Sequence, residues 1–423
     1  MSQDPPKLRL SRFAASVKAE TAFSVLATAK RLIENGKEVY ELEIGDSPFE
    51  TPLQAARAGV DAIQNGETHY ASSSGLASFR RAAADYVRRE FDLQVGEEHI
   101  LVGHGAKIFQ QLFCELFLNP GDAVLVFEPY FPTYPANIQR RGGRMIAKPL
   151  LESRQFRPDP SCVADFIENE SNARAIFLNS PHNPTGGVTT VEDLEAIASL
   201  VRDTSIMVLS DEPYDQMVWS GRHHTLLEQP GMMRNVVACY SFSKSFSMSG
   251  WRLGFAVADP EIIDSMTTLI NTSLSCVPPF VQRAGAAALR DERGYRDQMM
   301  EVFRLNVRSL VEELNQIEEI DTQFPGGSFY AFPNVTRVCH RLGMTSHGLA
   351  MFLLEGADDE TGVACLGGEC FGDAGQGFLR LSCAESKDRL VEAVRFVGKA
   401  ILREDRARAY LNEHPEYRSE PTA

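Results

Sequence analysis

The 423-residue chain has little that would suit it to nucleic acid, membrane or metal. Its 42 Lys and Arg are outnumbered by 57 Asp and Glu, a net charge of −15, whereas a nucleic-acid surface needs a basic stripe. No apolar run approaches the roughly 20 residues that cross a bilayer. The opening MSQDPPKLRLSRF also lacks the apolar stretch of a secretory leader. A cytoplasmic protein is expected. Eight cysteines lie between Cys114 and Cys383, none in a Cys-x-x-Cys pair or a Cys/His cluster. That predicts reduced thiols and no metal site. Internal repeats and low-complexity tracts are also lacking. Hydrophobic residues at 43% and charged residues at 23% suit an ordinary globular enzyme, and the length allows two domains.

What is present is alternation. Seven apolar runs read as strands: Ile100–Val102, Ala123–Phe127, Met145–Lys148, Ala175–Leu178, Ile206–Leu209, Val236–Tyr240 and Leu253–Ala258. Helical patterns separate most of them, as at Ala106–Leu118, Val191–Arg202 and Pro260–Asn271. Earlier segments read as helices over Val17–Asn35, Pro52–Asn65 and Leu76–Glu90, with a short strand over Val39–Ile44. The fold class expected is α/β: a mostly parallel seven-stranded sheet covered by helices on both faces, plus a smaller α/β part built from both termini. The division expected is residues 1–50 packing with the small part, 51–300 as the large domain and 301–423 as the small one. Residues 1–15 and the tail from about Asn412 are polar and contain proline, which predicts loose ends.

Ligands of such sheets sit at the carboxyl ends of strands. Polar clusters fall there strand after strand: GHGAK, EPYFPTY, NSPHNPTGG, SDEPY and SFSKSFS. The last belongs to NVVACYSFSKSFSMSGWRLGFAVAD, residues 235–259, where two buried-type strands flank a loop holding Lys244. Desolvation at the mouth of a sheet disfavours the ammonium form and makes the amine a nucleophile. Ser241, Ser243 and Arg252 offer hydroxyls and a planar cation, groups that hold a phosphate. Gly105 and Ala106 precede an apolar helix, whose N–H groups and dipole face an anion; an ordinary strand-to-helix turn is the plainer explanation. A nucleophilic lysine beside a phosphate cradle is what pyridoxal phosphate requires. Gly45, in GDSPFETP, allows a close approach to whatever lies above it, or simply a turn.

GDSPFETP, NSPHNPTGG, SDEPY, SFSKSFSMSGWRLG, FPGGSFYAFPN and GFLRLSCA occur in the order found in class I/II aminotransferases of pyridoxal-phosphate fold type I, which the chain resembles from about Val17 to Ala400. The resemblance implies transfer of an amino group from an L-amino acid to a 2-oxo acid by a ping-pong route. Lys244 matches the family's Schiff-base lysine and Asp211 the acid that pairs with the pyridinium nitrogen. Tyr214 and Asn183 match residues that hydrogen-bond the ring's phenolate oxygen, and Phe131 falls where an aromatic stacks on the ring. Gly105, Ala106, Ser241, Ser243 and Arg252 form the phosphate cradle, and Lys107 is expected with them among the cofactor-binding residues. Arg380 matches the arginine that clamps the substrate α-carboxylate, with Gly45 and Asn183 beside it. Tyr70 matches a loop tyrosine that reaches the neighbouring subunit's phosphate, implying a homodimer with shared sites. Asn183 would also suit a turn, and Phe131 and Tyr214 a core.

The chain departs from the family's pattern at Asp46-Ser47, Ser72 and Gly367, which bear on the substrate side chain accepted. The same fold also supports lyases and synthases on amino acids, an alternative reading. Ser241-Phe242-Ser243-Lys244 is also an SxxK match of the serine-hydrolase kind, but neither SDN nor KTG follows it. GHGAKI lacks the third glycine of a dinucleotide fingerprint.

Overall fold

A strand buried on both faces reads as a near-continuous apolar run, and this is how the central strands read up to their polar ends. The computed structural model describes residues 8–17 and 19–419. Strand β1 (Glu38–Glu41) stands apart from a seven-stranded sheet formed by β2 (Ile100–Gly103), β3 (Ala123–Glu128), β4 (Arg144–Pro149), β5 (Ala173–Asn179), β6 (Met207–Asp211), β7 (Val236–Ser241) and β8 (Gly254–Val257). The order across the sheet is β2-β8-β7-β6-β5-β3-β4. Strand β8 runs antiparallel to both its neighbours, and every other pair is parallel. The seven expected strands and their mostly parallel pairing are all present.

Alternation sends successive side chains to opposite faces. Val236, Ala238 and Tyr240 enter one core with Ala123, Leu125 and Phe127. Val237 and Cys239 enter the other with Val124 and Val126. The first core is closed by helix α4 (Ala77–Phe91) and by Pro279–Asp291, and the second by α5 (Lys107–Phe117) and Pro260–Ser273. Register sets Asn179 of β5 opposite Asp211 of β6, and Asp211 opposite Cys239 of β7. Strands β5 and β6 therefore finish level, and β7 runs two residues past them to Ser241, at the edge where ligands of parallel sheets bind.

A third core joins the two ends of the described chain. Val25 and Ala29 of α2 (Thr21–Glu34) and Val39 and Tyr40 of β1 pack with Phe303, Val307, Leu353 and Val363. Strand β1 pairs in parallel with β10 (Thr361–Ala364). The short strands β9 (Tyr330–Ala331), β11 (Leu366–Gly367) and β12 (Leu379–Ser382) form an antiparallel sheet in the order β11-β12-β9.

Among the described residues the end segments are better ordered than composition predicts; residues 420–423 of the expected loose tail lie outside them. Residues 1–7 lie outside the described residues, but helix α1 (Arg12–Ser16) forms next, capped by Ser11. Gln139 donates to Ser16 Oγ at 3.0 Å, and Arg140 lies 5.2 Å from the Phe13 ring. At the other end a helix spans Glu404–Glu413 and Arg418 bridges to Met344. Tyr410 packs against Phe352 with ring centroids 5.8 Å apart and donates to Glu355 at 3.0 Å, contacts that anchor a segment polarity alone would release. Helix α2 begins at Thr21, not Val17. No helix among the described residues is long and apolar enough to cross a membrane.

Candidate active site

The carboxyl ends of β5, β6 and β7, the N-terminus of α5 and the residues after β1 enclose a cavity of about 510 Å³. Gly45, Ala106, Lys107, Phe131, Asn183, Asp211, Tyr214, Ser241, Ser243, Lys244, Arg252 and Arg380 line it. Fourteen expected positions thus reduce to two that lie elsewhere. Gly105 sits one residue before the lining, and Tyr70 is 91% exposed on the surface, away from this cavity.

Asp211 ends β6 and is buried. Its Oδ2 accepts from Tyr134 Oη at 2.7 Å and Gln110 Nε2 at 3.1 Å, while its Oδ1 has no partner. Burial pushes the carboxyl up to about 6, and the donated hydrogen bonds hold it back only in part. Glu212, one residue on, faces the other side of the sheet. There Ser210, Thr225 and His223 hold it with hydrogen bonds of 2.7 to 2.8 Å. That anchor fixes the strand end from behind.

Asn179 donates to the Asp211 carbonyl at 2.7 Å and accepts from the Asn183 N–H at 2.9 Å. Arg380 Nη1 donates to Asn183 Oδ1 at 3.2 Å, so the amide's Nδ2 is the end left to donate. The other Nη of Arg380 donates to the Glu43 carbonyl. Its guanidinium lies 4.5 Å from the Tyr330 ring and 5.1 Å from the Phe371 ring, and its Nε has no partner. Tyr214 Oη and Tyr330 Oη are 3.1 Å apart, and burial raises the Tyr214 phenol well above its usual range. A Cβ on Gly45 would collide with the Tyr330 hydroxyl. The group lying above Gly45 is therefore Tyr330.

Lys244 Nζ donates to the Gly45 carbonyl and lies 5.8 Å from the Tyr214 ring. At the opposite end, a Cβ on Gly105 would come within 2.7 Å of an Arg252 Nη. Glycine is what lets the guanidinium lie over the turn that opens α5, whose first N–H groups have no intrahelical acceptor. Gly254 serves the same packing from beneath, since a Cβ there would meet Ala106 N at 2.9 Å. Arg252 itself takes a φ of 51°, a conformation held where it aims the side chain. The Lys107 ammonium does not turn to this end. It pairs with Glu20 and lies 5.3 Å from the Phe131 ring.

Sequence reasoning missed four groups here: Tyr330, Tyr134, Gln110 and Glu20. Gln110 left a readable signal, a polar residue on the buried stripe of α5 beside Phe109, Leu112 and Phe113. The other three depend on contacts between distant segments.

Behind Arg380, Glu43 is fully buried and neither carboxylate oxygen has a partner. Burial pushes its carboxyl from the ordinary 4.5 up to about 7, and Arg380 offsets only part of that. A raised carboxyl contributes its stability below about 4.5 and loses it as the pH climbs through about 7. Glu43→Gln should therefore be more stable than wild type at pH 8 by on the order of 3 kcal/mol, with the gap closing by pH 4. Urea denaturation at the two pH values checks this. An equal gap at both would mean shape, not charge, sets the cost.

A cavity at the carboxyl edge of a mostly parallel sheet, with a lysine, a buried acid and two arginines converging, defines an enzyme that handles small anionic substrates. The family model for aminotransferase class I and II matches residues 37–396. The aspartate aminotransferase of Pyrococcus horikoshii is 33% identical over 86% of this chain and 91% of its own. The probable aspartate/prephenate aminotransferase of Aquifex aeolicus is 33% identical over 91% of this chain and 96% of its own. The solved structure of aspartate aminotransferase from Thermus thermophilus with maleate superposes with a TM-score of 0.86 at 29% identity, over 93% of this chain and all of that one. The chain belongs to the class I and II aminotransferase family. It is a transaminase, moving an amino group between amino acids and 2-oxo acids, and the lyase or synthase alternative is not favoured.

Proposed function

We propose that the enzyme performs this transfer with pyridoxal 5′-phosphate held on Lys244, by a ping-pong route between an L-amino acid and a 2-oxo acid, as a cytoplasmic homodimer. The observation that carries the cofactor is Asp211. A buried carboxylate oxygen without a partner is costly unless a donor or cation meets it. A protonated pyridine nitrogen is such a donor. The Gly105 turn under Arg252 suits a phosphate equally well.

When bound, pyridoxal phosphate supplies an aldehyde that condenses with amines and a ring that draws electrons from Cα. The chain's residues do the rest. Lys244 would hold the cofactor covalently, yield it to the substrate amine, and then move the proton at Cα. Asp211 would keep the ring nitrogen protonated. Tyr214 and Asn183 Nδ2 would donate to the phenolate oxygen, and Phe131 would lie against the ring face. Ser241, Ser243, Arg252 and the N–H groups of Gly105, Ala106 and Lys107 would hold the phosphate. Arg380 would fork onto the α-carboxylate beside the Gly45 carbonyl.

Reductive trapping tests this assignment. Borohydride treatment of the cofactor-loaded protein should fix one phosphopyridoxyl group per chain, found by peptide mass on Lys244. A group found on Lys107, or on no lysine, would overturn it. Tyr70 is proposed to serve the partner subunit's phosphate, which its exposure permits. Tyr70→Asp and Lys244→Ala subunits, each inactive, should then regain about a quarter of wild-type activity on subunit exchange, because random pairing makes half the dimers mixed with one intact site. No recovery after proven exchange would place Tyr70 in its own subunit's service.

A further inference from the structure

Among the described residues four cations line the cavity: Lys107, Lys244, Arg252 and Arg380. On the reading above three are committed, to the cofactor aldehyde, the phosphate and the α-carboxylate. A substrate with a second carboxylate would need the fourth, and Lys107 is already engaged. Its Nζ lies 2.5 Å from Glu20 Oε1. Glu20 immediately precedes α2 and its side chain makes no capping bond there. It is turned to Lys107 instead. Among the described residues the pair neutralises the one uncommitted positive charge on the cavity lining, and Asp46 on the same lining adds a further negative one. Around it the lining is apolar: Ala22, Phe23, Ile44 and the Phe131 ring. Phe23 is 58% exposed at this lip, a large apolar side chain with a face free to be covered.

We propose that Glu20 is a specificity-determining residue that occupies Lys107 and sets the enzyme's preference for amino acids with neutral, apolar side chains over acidic ones. This rests on the aminotransfer reading. An incoming side-chain carboxylate would have to displace Glu20 from Lys107 and then lie near a displaced like charge. A neutral side chain leaves the pair intact and covers Phe23. Both half-reactions use one cavity, so the same preference extends to the 2-oxo acid.

The test compares wild type, Glu20→Gln and Glu20→Asp as cofactor-loaded enzymes. Each is mixed with aspartate, glutamate, leucine or phenylalanine alone, and the cofactor's absorbance change gives kcat/KM. Wild type should favour the neutral pair. Glu20→Gln should raise the acidic-to-neutral ratio by about tenfold or more, and Glu20→Asp, which keeps the charge, by much less. Binding of succinate, titrated by the same absorbance, should tighten in Glu20→Gln alone. An unchanged ratio in Glu20→Gln, or a wild type that prefers acidic side chains, would overturn the proposal. Failure of every amino acid to change the absorbance of any of the three proteins would be a different result, overturning the aminotransfer reading on which the proposal rests.

Discussion

Lys244→Ala should lose at least about four orders of magnitude in kcat and still bind pyridoxal phosphate. The lysine is asked for two tasks, holding the aldehyde and moving the proton at Cα, and no nearby side chain can substitute. Among the described residues Lys107 is the other lysine on the cavity, and its ammonium is tied to Glu20. The groups proposed for the phosphate do not depend on Lys244. Arg252 is positioned by its own backbone and by a 2.7 Å hydrogen bond to the Ser249 carbonyl, and Ser241 Oγ accepts from the Ser243 N–H at 3.1 Å. Retention should therefore be visible by equilibrium dialysis while turnover vanishes. Turnover near the wild-type rate would remove Lys244 from the chemistry. Loss of cofactor binding along with turnover would mean that the covalent link, not the cradle, supplies most of the affinity.

Arg380→Ala should lower kcat/KM by about two to four orders of magnitude for every amino acid tried, whatever its side chain. A guanidinium fork on a carboxylate makes two charge-assisted bonds of roughly 1.5–3 kcal/mol each. The arginine is held for the task by Asn183, the Glu43 carbonyl and the rings of Tyr330 and Phe371. Arg380→Lys keeps the charge and loses the fork, so it should recover only part of the loss. Steady-state kinetics across acidic, aliphatic and aromatic amino acids is the check. A loss confined to one class of side chain would mean that Arg380 reads the side chain and that another group holds the α-carboxylate.

How much of this was legible follows from what a sequence encodes locally. The central strands could be read because both faces are buried, so that β3 and β7 are continuous apolar runs, and because turn residues end each one. The polar clusters at their ends could be read for the same reason. Tyr330 could not. It lies in a strand of two residues, too short for any period, and its partners Gly45 and Tyr214 are 285 and 116 positions away. Gly45 announced a close approach without naming what approached. Glu20 looked like any acid near a helix start, and only the fold brings it to Lys107, 87 residues on. The terminal helices were missed because propensity and polarity say nothing of Phe13 finding Arg140 or Tyr410 finding Phe352.

The most direct measurement on the central claim is a single turnover without acceptor. The cofactor-loaded enzyme is mixed with an excess of one amino acid it accepts, and the 2-oxo acid released is counted against active sites. Aminotransfer through a group held on Lys244 predicts one equivalent per site, a matching change in the cofactor's absorbance, and then arrest until a 2-oxo acid is added. Continued product formation without any acceptor, or release with no spectral change, would contradict it.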